Sequence, residues 1–173
     1  MSKTRNITTM AMLFALAMVL SFLEGMLPPV PYLPPGFKPG LSNIITMYTL
    51  FFMGARQGFL IAVLKSGFVL ITRGGVSGAL SLAGGITSIL VMLLLSFIFK
   101  DRISYLILSI CGAICHNMGQ LAVVTLIMLN TYALWYTPVL IIAGIIMGSV
   151  TGTLLKVIMP VFNSVAGGKG GGQ

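Results

Sequence analysis

The chain has 173 residues, of which 57% are hydrophobic and only 7% are charged. A water-soluble domain carries about 25% charged residues, so this composition excludes a soluble globular protein, and the length suits one compact bundle. The net charge of +8 comes from ten Lys and Arg residues against two acidic residues. Because the basic residues lie mainly at the ends of apolar runs, as topology signals do, they do not indicate a nucleic-acid-binding protein.

Six apolar runs predict an all-α, polytopic integral membrane protein with about six transmembrane helices. About 20 apolar residues cross the hydrocarbon core as a helix, whereas a membrane barrel needs alternating strands, a pattern that this sequence lacks. The second and third runs are short for a full crossing and are expected to form a tight hairpin. In chain order the predicted spans are residues 7–27, 41–53, 59–72, 79–99, 103–129 and 133–159.

Prolines and glycines mark the limits of the predicted spans. A segment with six prolines, residues 28–39, separates the first span from the second and is expected to be an extended loop or cap. Residues 1–160 are predicted to form a single six-helix transmembrane domain. The glycine-rich end, residues 161–173, is predicted to be a flexible tail.

The basic residues also predict that both termini lie in the cytoplasm. In this orientation Lys38 and Arg73 face outward and Lys65 lies within a span. The remaining Lys and Arg residues then lie on the cytoplasmic side: Lys3, Arg5, Arg56, Lys100, Arg102, Lys156 and Lys169. This asymmetry satisfies the positive-inside rule, and it places the proline-rich loop outside.

Small residues at four-residue spacing occur on the first and the last span. Ala11 and Ala15 share one face of the first, and Gly144, Gly148 and Gly152 share one face of the last. Such stripes allow helix backbones to approach closely in lipid. The glycine stripe is expected to pack within this protein's own bundle, whereas the alanine pair suits internal packing and docking of an external helix equally well.

Polar residues at membrane depth predict a ligand site, because each is costly in lipid and usually faces inward. With the predicted topology these residues converge on the middle and outer half of the membrane. Three cations and one carboxylate among them favour an anionic or polar small molecule that enters from outside. The candidate substrate-binding residues are Glu24, Lys38, Asn43, Lys65, Arg73, His116, Asn117 and Gln120.

Each of these residues also has a purely structural explanation. Lys65 can snorkel to an interface or pair with Glu24, and His116 with Asn117 and Gln120 can form hydrogen bonds between helices. Arg73 and Lys38 can be hydrated loop charges.

Catalysis and metal binding are not expected. The chain has no pair of neighbouring acids to hold magnesium and no P-loop, so it is predicted to be neither an enzyme nor an ATPase. Cys111, Cys115 and His116 make a weak metal set, because no second cluster of ligands accompanies them. No cofactor is implied.

Three sequence segments resemble a known bacterial family. PGFKPGLSNI (35–44), SLAGGI (81–86) and GAICHNMGQL (112–121) are similar to heptaprenyl diphosphate synthase component I proteins, which are also called Gx transporters. The usual form of the first motif has leucine where this chain has Pro39.

That family is similar in fold to the S components of energy-coupling factor (ECF) vitamin transporters. The resemblance implies a six-helix bundle in the bacterial cytoplasmic membrane that captures a micronutrient from outside. It also implies partners, namely a transmembrane coupling subunit and two cytosolic ATPases. S components carry an Ala-x-x-x-Ala docking motif on their first helix, which Ala11 and Ala15 match.

Three hypotheses follow from the residues and the resemblance. The preferred one is an S component that imports a small polar or anionic micronutrient, such as a quinone precursor or a flavin. The second is a non-catalytic accessory membrane subunit, linked to isoprenoid synthesis or to an electron-transfer complex. The third is a self-sufficient secondary carrier, for which Glu24 is the available membrane acid.

Overall fold

The structure is a computed structural model that describes residues 3–26, 40–99, 103–128 and 131–166. It confirms the all-α prediction over these residues. The proline-rich loop, with Lys38, and the glycine-rich end after residue 166 lie outside the described residues. The helices are α1 (Lys3–Met26), α2 (Asn43–Met53), α3 (Ala55–Arg73), α4 (Gly75–Phe99), α5 (Tyr105–Met128), a 3-10 helix (Thr131–Tyr136) and α6 (Thr137–Ala166).

Five of these helices are long and apolar enough to cross a membrane. Among the six α-helices the exception is α2, whose 11 residues span roughly 16 Å at 1.5 Å per residue, about half of the hydrocarbon core. The chain is therefore a multi-pass membrane protein with five full-length helices and one half-length helix in its described part.

Three predicted boundaries differ from the structure for identifiable reasons. α3 and α4 each begin four residues before the predicted span, at Ala55 and Gly75, because a single glycine makes each turn. α6 continues through Pro160 to Ala166, so the predicted domain limit at residue 160 falls inside a helix. A proline removes one backbone hydrogen bond, but in a membrane helix neighbouring groups often compensate for it.

The same glycine corner joins α2 to α3 and α3 to α4. Gly54 and Gly74 have φ angles of 103° and 88°, which side chains with a Cβ rarely adopt. In both corners the sequence is Leu-x3-Gly-x3-Gly. The last glycine, Gly58 or Gly78, packs directly against the leucine of the preceding helix, so each pair of helices folds back as a tight antiparallel hairpin.

The short helix α2 is the centre of the bundle. Residues 43–50 are all buried, and α2 contacts α1, α3, α4 and α6. The longer helices α3 to α6 pack in chain order around it. A helix that is buried on all sides is expected to be apolar on all sides, which explains why α2 reads as a continuous apolar run.

The glycine stripe of α6 packs inside the bundle, as predicted. A Cβ atom on Gly148 would lie 2.5 Å from Cα of Ile110, and one on Gly144 would lie 2.9 Å from Cα of Ile114. These approaches of backbone to backbone join α6 to α5. Ser109 and Thr151 add a hydroxyl–hydroxyl hydrogen bond of 2.5 Å between the same helices.

Candidate functional site

Glu24 holds the start of α2 in place. It lies in the last turn of α1 and is 3% exposed. One carboxylate oxygen accepts a hydrogen bond from the backbone N–H of Leu41, and the other accepts one of 3.1 Å from the Ser42 hydroxyl. The first N–H groups of α2 donate to the backbone carbonyls of residues 40–42, and the carboxylate from α1 anchors this turn by accepting from Leu41 and Ser42. Negative charge at a helix N-terminus is favourable as well.

Lys65 lies level with this start of α2. The α2–α3 hairpin turns at Gly54, so residues that are equally far from Gly54 in sequence lie at the same height. Lys65 and Asn43 are such a pair. The Lys65 side chain is 2% exposed and is among the largest fully buried side chains of the described residues. It lies within electrostatic range of Glu24. A buried cation is costly unless it is paired, which makes Lys65 the most informative single residue of the site.

Arg73 closes the same end of the bundle from the last turn of α3. Its guanidinium packs against Gly25, where a Cβ atom would lie 2.4 Å from one terminal nitrogen. That nitrogen is buried without a hydrogen-bond partner in the described structure. Glu24 is within electrostatic range of Arg73 too, yet among the described residues neither Arg73 nor Lys65 forms a direct ion pair with it.

Two glycines make room for the ring of His116. A Cβ atom on Gly84 would lie 2.7 Å from the ring, and one on Gly40 would lie 3.4 Å from it. Nε2 of His116 is 2.7 Å from Nε2 of Gln120, one turn along α5. Nδ1 of His116 and Oε1 of Gln120 have no hydrogen-bond partner in the described structure, although both residues are 3% exposed.

These side chains line one cavity. The cavity is partly open and has a volume of about 30 Å³, which is room for about two water-sized groups. It lies where α1 and α3 end and where α2 and α4 begin, with the middle of α5 behind it. Its lining consists of Ser21, Glu24, Gly40, Ser42, Lys65, Val69, Arg73, Ser77, Leu80, Ser81, His116 and Gln120.

Two of the predicted site residues join helices instead of lining the cavity. The Asn43 amide donates to the Ser88 hydroxyl at 3.1 Å and so links α2 to α4. The Asn117 amide donates to the Leu140 carbonyl at 2.8 Å and links α5 to α6. A third predicted residue, Lys38, lies outside the described residues. Glu24, Lys65, Arg73, His116 and Gln120 are the predicted residues that the cavity brings together.

The serines of the cavity were not among the predicted site residues. Four of them line it: Ser21, Ser42, Ser77 and Ser81. Sequence signals pointed to three of the four: Ser21 lies one turn before Glu24, and Ser77 and Ser81 lie one turn apart, on one face of a helix.

Asn117→Ala is expected to lower stability without affecting ligand binding, because Asn117 bridges α5 and α6 away from the cavity. Hydrogen bonds between membrane helices contribute about 0.6 kcal/mol on average and about 1.7 kcal/mol at most, so a loss of about 1 kcal/mol is expected. Thermal unfolding in detergent measures the loss, and Thr125→Ala is a matched control on α5, since its hydroxyl bonds within its own helix. A change in ligand affinity with unchanged stability would place Asn117 in the site instead.

A metal centre receives no support from the described residues. They contain no group of three or more His, Cys, Asp and Glu side chains that could hold an ion. Cys111 and Cys115 are free and half-buried.

One family model matches the chain over residues 13–158, and its description is heptaprenyl diphosphate synthase component I. The match covers most of α1 and extends into α6, so it includes every helix that forms the cavity. No curated protein sequence matches the chain.

Among solved structures, the chain is similar to the S component of a bacterial ECF transporter. The two share 20% sequence identity with a TM-score of 0.59, over 96% of this chain and 98% of that one. At this identity the likeness establishes the fold.

Proposed function

The chain belongs to the heptaprenyl diphosphate synthase component I family, and from its S-component fold and its buried polar cavity we propose that it is a non-catalytic substrate-binding (S) component of an ECF-type transporter. Its substrate in this proposal is a small polar or anionic micronutrient, of the quinone-precursor or flavin kind. It works in the bacterial cytoplasmic membrane, with both termini in the cytoplasm and the cavity in the outer half of the bilayer.

The observation that carries the proposal is the set of unpartnered polar atoms around the cavity. Buried donors and acceptors are nearly always hydrogen-bonded in proteins, and leaving one unpaired costs about 1–3 kcal/mol. Here Arg73 and Gln120, which both line the cavity, each carry a buried polar atom without a hydrogen-bond partner in the described structure. A bound ligand would satisfy these atoms.

A transporter of this type needs a docking surface for its coupling subunit, and the exposed side of α1 suits this role. Leu13, Ala17 and Glu24 form the buried stripe of α1, whereas Ala11 and Ala15 are exposed on another face. Large apolar side chains flank the pair, including Met12 at 69% exposure and Leu16 at 46%. In this proposal a helix of the coupling subunit lies across Ala11 and Ala15.

Replacing both Ala11 and Ala15 with leucine is expected to abolish co-purification with the coupling subunit, because the added side chains would hold the two helices apart. Folding and ligand binding should persist, since both positions are exposed and lie outside the cavity. Ala122→Leu, at an exposed alanine of α5, is the matched control. Undiminished co-purification of the double variant would refute docking at this surface.

The family description favours one other candidate, an accessory membrane subunit of a prenyl diphosphate synthase. In that case the chain would bind a soluble catalytic partner, and the cavity would serve packing only. Substitution of Lys65 would then change stability and change no ligand affinity, which is opposite to the expectation for a substrate-binding protein.

A further inference from the structure

The charges around the cavity do not balance. Lys65 and Arg73 contribute two positive charges, and Glu24 contributes one negative charge. Glu24 is counted here in its charged form, because it receives hydrogen bonds from the Leu41 N–H and the Ser42 hydroxyl, and hydrogen bonds to a carboxylate favour its ionised form. His116 is neutral, since Nε2 accepts from the Gln120 amide. The described residues therefore give the cavity a net charge of +1.

Glu24 is not free to cancel both cations. Its two oxygens bind Leu41 and Ser42, and among the described residues it forms no direct ion pair with Lys65 or Arg73. A buried net charge is unfavourable in a medium of low dielectric constant. One additional negative charge between Lys65 and Arg73 would make the cavity neutral and remove this cost. Two additional negative charges would leave a net negative charge, which is unfavourable as well.

The size of the cavity and its free hydrogen-bonding atoms restrict the chemical class of the ligand further. The cavity is partly open, and its 30 Å³ suits a group of the size of a carboxylate, while the rest of a larger molecule would extend outside this space. Oε1 of Gln120 is a buried acceptor without a donor. A matching ligand therefore also carries a hydrogen-bond donor, and that donor must be neutral if the total charge is to vanish.

We propose that this cavity recognises a monocarboxylate that also carries a neutral hydrogen-bond donor, such as a hydroxyl group. The carboxylate lies between Lys65 and Arg73, the donor faces Gln120, and Glu24 acts as a positioning residue that holds the start of α2 and sets the charge of the site. This inference rests on the proposed substrate-binding function and specifies the substrate class of the same site.

The test measures binding of four small probes to the purified full chain in lipid nanodiscs by isothermal titration calorimetry. The probes are glycolate, acetate, glycolamide and inorganic phosphate at a pH where phosphate is mainly a dianion. Glycolate should bind tightest. Glycolamide, which lacks the charge, and phosphate, which carries one charge too many, should each bind at least about tenfold more weakly.

Variants of the charged residues should reorder these affinities. Glu24→Gln keeps an oxygen for the Leu41 N–H but raises the net charge to +2, so phosphate should gain at least about tenfold relative to glycolate. Lys65→Gln makes the site neutral and should remove the preference for glycolate over glycolamide, which keeps the inference testable if Glu24→Gln fails to fold. Arg56→Gln, on the exposed part of α3, should leave the order unchanged.

The possible failures are distinguishable. If glycolamide or phosphate binds the wild-type chain as tightly as glycolate, the monocarboxylate inference is wrong. If the chain retains a natural ligand that is neutral or cationic, the inference is wrong while the substrate-binding function stands. If none of the probes binds and no ligand is retained, both are wrong.

Discussion

Lys65→Met is expected to lower ligand affinity by about 30-fold or more while the bundle stays folded. Removing one member of a buried charged pair between protein and ligand costs about 2–5 kcal/mol in binding. Methionine has nearly the same length and volume as lysine, so the space filled by this 2%-exposed side chain stays filled.

The stability of this variant is expected to be equal to, or higher than, that of the wild type. Lys65 has no direct ion pair among the described residues, and replacing buried charge with apolar volume is often neutral or stabilising. Native mass spectrometry measures the fraction of protein that carries a ligand, and thermal unfolding measures stability. Arg56→Met is the matched control, because Arg56 lies on the same helix but is exposed.

Unchanged ligand occupancy together with lower stability would contradict a binding role for Lys65. If Lys65→Met keeps full ligand occupancy and loses several degrees of melting temperature, the ammonium group serves the structure. The accessory-subunit hypothesis predicts that combination.

Gly148→Leu is expected to be the most destabilising single change on α6. A Cβ atom there would lie 2.5 Å from Cα and 2.9 Å from N of Ile110. Backbone atoms of a helix cannot move aside as a flexible side chain does, so α5 and α6 would have to separate along the whole stripe. Overpacking of this kind costs about 1–3 kcal/mol in ordinary cores, and here the upper end of that range is expected.

Gly67→Leu is the control for this prediction. Gly67 lies on α3, and no atom of the described structure lies within 4 Å of a Cβ placed there, so leucine should be tolerated. The unfolding midpoints of both variants in the same detergent measure the difference. Equal midpoints would mean that the close approach of α5 and α6 does not contribute to stability.

The charged and strongly polar part of the cavity was predictable from the sequence. Glu24, Lys65 and His116 interrupt long apolar runs, and the cost of such groups in lipid requires a shared polar environment. The sequence does not show which polar residues form hydrogen bonds to a neighbouring helix instead of lining the cavity. Asn43 and Asn117 lie in equally apolar surroundings, but their amides reach Ser88 and Leu140.

The fold was predicted in its class and approximate spans, but not in its central feature. The apolar run that contains α2 was predicted to be a short transmembrane span. In the structure α2 is a half-length helix that packs inside the bundle. Its position follows from the glycine corner at Gly54 and the carboxylate of Glu24 at its start. The corner residues are visible in the sequence, but the contact between Glu24 and Leu41 joins positions that are 17 residues apart, which no local pattern predicts.

The most direct test of a substrate-binding role is identification of the small molecules that the gently purified wild-type protein retains. Mass spectrometry of the extracted ligand should find a single compound at about one molecule per chain, and Lys65→Met should lose it while Arg56→Met keeps it. Absence of any stoichiometric compound across several mild detergents and nanodiscs, with the chain fully folded, would contradict the proposed function and favour the accessory subunit.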